Sequence, residues 1–132
     1  MRVVSDSYDN RFLMGEVDGD NEDAMKVSKS FTEDGRLHAT YNFDLLEWNG
    51  LTVDGVKRVI NKAVEIFNNT GKLCFAFSNH DVPRSLSRQL ASLNIKNENG
   101  EALQLLLLKL ESCLIGSACI FQGEELAYED VE

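Results

Sequence analysis

The stretch Leu73-Cys74-Phe75-Ala76-Phe77-Ser78-Asn79-His80-Asp81 decides how this chain is read. Residues Leu73–Ser78 are aromatic, apolar and small, in a run short enough to predict a buried strand. An amide, an imidazole and a carboxylate then arrive together where that strand ends. Asn79, His80 and Asp81 on one rim read as part of a binding site. They also read as a polar turn with an Asp cap for the next helix, because Asn and Asp favour turns for local reasons.

Working outward, the same element pair recurs. Upstream, Thr52 is placed to cap a helix whose apolar residues, Val53, Val56, Val59, Ile60, Ala63, Val64 and Phe67, step by three and four. Gly71 is expected to close it in a left-handed conformation. Before it, Leu37–Phe43 predicts a second strand, rich in Thr, Tyr and Phe. Further upstream, Arg11–Val17 predicts a first strand. Asn21 is the expected N-cap of a helix running to Ser30, with Glu22 and Asp23 in its first turn. Downstream, Pro83 stands near the start of a helix through Leu93. Asn97–Gly100 is a turn, Glu101 opens a Leu-rich helix ending at Gly116, and Ser117–Phe121 predicts a fourth strand. Strands alternating with helices argue an α/β chain with a parallel sheet.

The 132 residues have the length of one domain, and 43% are hydrophobic, enough for a core. The formal net charge of -9 argues against a nucleic-acid partner, whose phosphates need a basic surface. Met1–Tyr8 has no apolar segment of the signal-peptide kind. The most hydrophobic window, Ala102–Ile115, is too short for a membrane span and is interrupted by Lys109, Glu111 and Ser112. Cys74, Cys113 and Cys119 lie in apolar runs with no paired spacing. Buried free thiols in a reducing compartment are expected, hence the cytoplasm.

The polar residues collect at strand ends. Glu16 follows the first strand, Asn42 and Asp44 the second, Asn79-His80-Asp81 the third, and Gln122, Glu124 and Glu125 the fourth. In parallel sheets that rim carries the site. No Gly-rich phosphate loop follows any strand, so no nucleotide cofactor is implied. Glu16 and Asp81 together suit glycosidic bond cleavage, in which one carboxyl is protonated and others stay ionised. A partly desolvated rim would favour the protonated form of Glu16. Glu16 also reads as a solvated loop carboxylate. The competing chemistry is a divalent cation held by His80, Asp81 and Glu16. Zinc sites draw on more His or Cys than this chain offers, since His38 opens its strand and should point to the opposite rim.

Three segments carry a family resemblance: Gly15-Glu16-Val17, Phe77–Asp81 with Pro83-Arg84, and Phe121-Gln122-Gly123-Glu124-Glu125-Leu126. With Arg36-Leu37-His38 and Tyr41–Leu46 between them, the chain resembles family 13 glycoside hydrolases, and most of all the α-glucosidase and oligo-1,6-glucosidase branch. The likeness covers nearly the whole chain in order. It implies a partial (β/α)8 TIM barrel, roughly strands five to eight, with residues 1–132 forming a single half-barrel domain truncated at both ends. It implies that Glu16 is the general acid/base and that Asp81 is the third carboxylate, stabilising the transition state. His80 and Asn79 would bind sugar hydroxyls, and Arg84 would sit at the pocket edge. The substrate would be an α-glucoside or malto-oligosaccharide, with no cofactor and no metal.

The chain departs from the family in two places. The nucleophilic Asp of a Gly-Phe-Arg-x-Asp run is absent, as is the family's first conserved region. The resemblance therefore implies an α-glucosidase fragment that is inactive alone. The alternative is a non-catalytic remnant or half-barrel interaction module that needs a complementing N-terminal chain. Four strands leave two open edges, and the inner-face residues Met14, Tyr41, Phe75 and Ile120 are expected to be partly uncovered.

Overall fold

The computed structural model describes residues 1–17, 24–46, 50–68, 70 and 72–131. Four short strands, β1 (Met14–Gly15), β2 (Ala39–Tyr41), β3 (Leu73–Phe75) and β4 (Ser117–Ala118), form one sheet in the order β1-β2-β3-β4. Every pairing is parallel, with Met14 opposite Ala39, Thr40 opposite Leu73, and Cys74 opposite Ser117. Helices make the crossovers that parallel neighbours require: α2 (Ala24–Ser30), α3 (Val53–Phe67), then α4 (Ser85–Leu93) and α5 (Gly100–Ser112) between β3 and β4. A five-residue helix, α1 (Arg2–Asp6), precedes β1 and was not expected from the sequence. This α/β arrangement, a parallel sheet with helical crossovers, is consistent with part of a (β/α)8 barrel.

The strands are shorter than their apolar runs. A run marks burial, whereas ladder length also depends on what pairs alongside. β1 and β4 pair on one side only, and each keeps two residues. The Cys119 amide still extends the β4 ladder by donating to Phe75 O at 2.8 Å.

Period-two alternation separates two layers. Leu73, Phe75 and Phe77 face the helices and pack with Met25 of α2, Ala63 and Phe67 of α3, and Leu107 of α5. Cys74 and Ala76 face the other way, with Tyr41, Leu46 and the partly buried Phe43, Val82 and Cys119. This corrects the expected inner face. Phe75 belongs to the helix layer and is 1% exposed, because its neighbour Cys74 takes the opposite side. Tyr41 is on the expected face but buried. Met14 and Ile120 are uncovered as expected, at 45% and 48%. Cys119, rather than Ile120, enters the Tyr41 cluster.

The helix ends follow local chemistry. Thr52 Oγ1 accepts from the Gly55 amide at 3.2 Å, the expected N-cap of α3. The left-handed C-cap is Asn68 (φ 47°), a residue whose short amide tolerates that conformation. Gly71, expected in this role, lies outside the described residues, as do Asn21, Glu22 and Asp23. α4 starts at Ser85, two residues beyond Pro83, and ends on a second left-handed Asn, Asn94. The expected 97–100 turn is a 3-10 turn over Asn97–Asn99, and Gly100 already belongs to α5. That helix stops at Ser112 rather than Gly116. Gly116 adopts φ 124° where the chain turns into β4, and a Cβ there would lie 2.2 Å from Leu73 O.

The thiols are free. Cys74 is buried as expected, but Cys119 is half-buried and Cys113 exposed. Cys113 is the C-cap of α5, where the helix surfaces.

Candidate active site

Because all four strands are parallel, the polar segments after them share one end of the sheet. A cleft of about 230 Å³ opens there, lined by Met14, Gly15, Glu16, Tyr41, Asn79 and His80. The fold thus brings Glu16, from the end of β1, together with Asn79 and His80, from beyond β3, across the Tyr41 ring. Asp81 lies just beyond this wall. His80 Nε2 is 3.4 Å from Asp81 Oδ2, and both side chains are largely exposed. Glu16 is exposed as well, so the desolvation expected around it is not present.

Asn79 serves both of its readings. Its Oδ1 accepts from the amides of Asp81 (2.9 Å) and Val82 (3.2 Å), forming the turn, while the residue itself lines the cleft. Asn42 makes a similar local turn with Asp44 at the end of β2. Tyr41 donates from its hydroxyl to Ser78 O at 3.3 Å. Burial, followed by the nearby Cys119, Cys74, Glu111 and Glu124, raises its pKa above the ordinary phenol range. Tyr41 is thus a neutral wall residue that holds a proton, a role its place in an apolar run did not reveal.

Beneath the rim lies a buried polar network. Glu124 Oε1 accepts from Ser78 Oγ (2.6 Å) and Ser85 Oγ (2.9 Å), and Oε2 from the Phe121 amide (2.9 Å). Ser78 Oγ also accepts from the Ser85 amide at 2.7 Å. One carboxylate thereby ties the segment after β4 to both ends of the loop carrying His80 and Asp81. Arg88 donates to Phe77 O, at the base of the same loop. Burial lowers the Arg88 pKa, while Glu124 and Asp130 act in the opposite direction. The sequence placed Glu124 at the rim and gave no signal that Ser78 and Ser85 would converge on it.

Glu111, on α5, is a second buried carboxyl, 2% exposed. Its Oε1 accepts from the Cys119 amide at 3.1 Å, and its Oε2 has no hydrogen-bond partner among the described residues. Burial, with Glu124 adding to it and the Cys119 amide opposing, raises its pKa to about 7.

Arg84 is engaged away from the cleft. It donates from its guanidinium to Gln122 O at 2.7 Å and lies over the Phe121 ring, 5.2 Å from its centroid. Its backbone amide donates to the Asp130 carboxylate at 3.0 Å. It supports the Gly123 turn, where Glu125 accepts from the Gly123 amide. His38, as expected, lies away from the rim. Its Nδ1 accepts from the Leu13 amide at 2.9 Å, its Nε2 lies 3.3 Å from Asp6, and Phe12 stacks on its ring.

The cleft therefore offers a carboxylate facing an imidazole and an amide, with hydroxylated and apolar walls. Such a surface suits a neutral polyhydroxylated ligand. Among the described residues no group of three or more His, Cys, Asp or Glu is arranged to hold a metal ion, so the competing cation reading of Glu16, His80 and Asp81 has no converging ligand set. No helix among the described residues is long and apolar enough to cross a membrane.

Comparison with known proteins agrees with this architecture. The chain is 33% identical to a probable alpha-glucosidase of Rhizobium meliloti (strain 1021), over 99% of its own length and 23% of that protein's. It superimposes on the crystal structure of the alpha-glucosyl transfer enzyme XgtA with a TM-score of 0.72 and 28% identity, again over 99% of this chain and 23% of the other. It thus spans less than a quarter of either relative. Residues 1–132 match the family described as alpha amylase, catalytic domain, and the chain belongs to that family.

Proposed function

We propose that residues 1–132 form the acid/base-bearing part of an α-glucosidase-type glycoside hydrolase, corresponding to barrel strands five to eight. The observation that carries this reading is the cleft that sets Glu16 against Asn79 and His80 at the carboxyl end of a parallel sheet. Glu16 would protonate the leaving glycosidic oxygen and later deprotonate the attacking water. Asp81, held beside His80, would bind sugar hydroxyls and stabilise positive charge at the sugar carbon. His80 and Asn79 would contact the same sugar. Arg84 would act at the pocket edge through the β4 turn it supports. A retaining mechanism needs a second carboxylate as nucleophile, about 5 Å from the acid. No Arg-x-Asp run in residues 1–132 supplies it. The proposed substrate is an α-glucoside or malto-oligosaccharide, turned over once an N-terminal half-barrel supplies that group. Free thiols suit a cytoplasmic setting.

The test is hydrolysis of maltose and of nitrophenyl α-glucoside by the purified chain, alone and mixed with the first half of a related barrel. The expected result is no glucose from the chain alone and glucose from the mixture, abolished by Glu16→Gln. Glucose release by the chain alone, lost in Glu16→Gln, would overturn the fragment reading. A second reading, a half-barrel interaction module without catalysis, is favoured by exposed Met14 and Ile120 and by the unpaired outer edges of β1 and β4. It predicts a stable complex with the first half and no glucose.

A further inference from the structure

Outside the cleft, two cysteines share the helix-free face of the sheet. Phe75 pairs with Ala118, so the register continued by one residue sets Cys119 opposite Ala76. Cys74 lies two residues before Ala76 and therefore projects from the same face. Cys74 belongs to the cluster around Tyr41 and Ala76, Cys119 packs against that same cluster, and the Cys74 thiol donates to Phe75 O at 4.0 Å. Cys113 is exposed at the end of α5 and takes no part.

We propose that Cys74 and Cys119 form a dithiol site that chelates a trivalent arsenical across β3 and β4. Parallel strands lie about 4.8 Å apart with a rise of about 3.3 Å per residue, so positions offset by two residues stand roughly 8 Å apart at Cα. A direct disulfide rarely spans more than about 7 Å without moving the backbone. An arsenic atom placed between the sulfurs lengthens the bridge, so the site favours a chelate over a disulfide. Access comes through β4, a two-residue edge strand with both residues exposed, which makes Cys119 the first point of attack. Burial, with Cys119 adding to it, pushes the Cys74 thiol up to about 12, so Cys74 closes the ring second, as a thiol. With an arsenoxide the step balances without an oxidant. Two As–S bonds form, the arsenic–oxygen bond breaks, the oxygen leaves as water with both thiol protons, and arsenic stays trivalent.

The experiment treats the reduced, folded chain with phenylarsine oxide and reads the intact mass. One phenylarsenic group per chain is expected, retained in excess mercaptoethanol and released by dithiothreitol. Cys113→Ser should behave as the parent chain, while Cys74→Ser and Cys119→Ser should each lose the monothiol-resistant adduct. Should Cys74→Ser fail to fold, peptide mapping of the parent adduct decides the matter, with the arsenical bridging the Cys74 and Cys119 peptides. A resistant adduct that survives Cys119→Ser, disappears in Cys113→Ser, or never forms on the folded parent would overturn the proposal.

Discussion

Glu124 and Glu111 show how much a single buried carboxyl can set. Glu124 satisfies two fully buried hydroxyls and one half-buried amide. Glu124→Ala leaves two buried hydroxyl donors unpaired, each costing about 1–3 kcal/mol, and strips the half-buried Phe121 amide of its partner. We expect a stability loss of about 3–5 kcal/mol, seen as a lower urea midpoint, and a smaller loss for Glu124→Gln, which keeps one acceptor oxygen. A midpoint unchanged in Glu124→Ala would show that the network contributes nothing. Glu111 predicts a pH dependence. Its folded pKa is raised from 4.5 to about 7, so the folded state holds its proton more tightly than the unfolded chain. The contribution is fully present below pH about 4.5 and is lost as the pH rises through about 7, a change on the order of 3 kcal/mol. Glu111→Gln removes this slope. The difference in urea midpoint between variant and parent should grow in the variant's favour from pH 4.5 to pH 7 and then level off. A constant difference across that range would exclude the raised pKa. Neither role was legible in the sequence, because both depend on which distant backbone amides and hydroxyls surround the carboxyl.

At the scale of elements, the sequence carried the order and type of all four strands and of the helices between them, because apolar periodicity reports burial directly. It carried the Thr52 cap for the same local reason. It did not carry strand lengths or the side on which Phe75 packs, which depend on neighbours far away in the chain. It also missed α1, whose support is the Arg2–Asp6 pair at 2.8 Å together with the contact of Asp6 with His38, one local and one long-range. Two substitutions test the layers. Phe75→Ala opens a cavity in the helix-facing core and should cost about 3–5 kcal/mol. A loss below 1 kcal/mol would place Phe75 on the open face instead. Gly116→Ala puts a methyl group against Leu73 O and a side chain at φ 124°. The clash is with backbone, which cannot swing away, so β4 should detach from β3 before the rest unfolds. Faster hydrogen exchange at the Cys119 amide, with the Tyr41 amide unchanged, is the expected signature. Equal protection in parent and variant would show that the turn accommodates the methyl group.

At the scale of the chain, the described residues form an open four-stranded parallel sheet with helices on one face, and this sets its behaviour in solution. Among the described residues β1 and β4 each present an unpaired edge, and Met14 and Ile120 stand exposed beside them. Such edges are templates for pairing with another chain. Opposing this is a net charge of -9, which makes copies repel one another. The repulsion is screened by salt, with a Debye length falling from about 30 Å at 0.01 M to about 3 Å at 1 M, whereas burial of Met14 and Ile120 is not. The two effects therefore separate by ionic strength. Light scattering should show a monomer at low salt and growing association as salt rises. Met14→Lys with Ile120→Lys should suppress that association, because each lysine places a charge on an edge that would have to be buried. A complementing half-barrel occupies the same edges, so adding it should shift the population from self-association to a heterodimer. A chain that stays monomeric at all salt concentrations, and ignores the added half, would mean that its edges are closed by its own segments and that it does not complete a barrel with a partner.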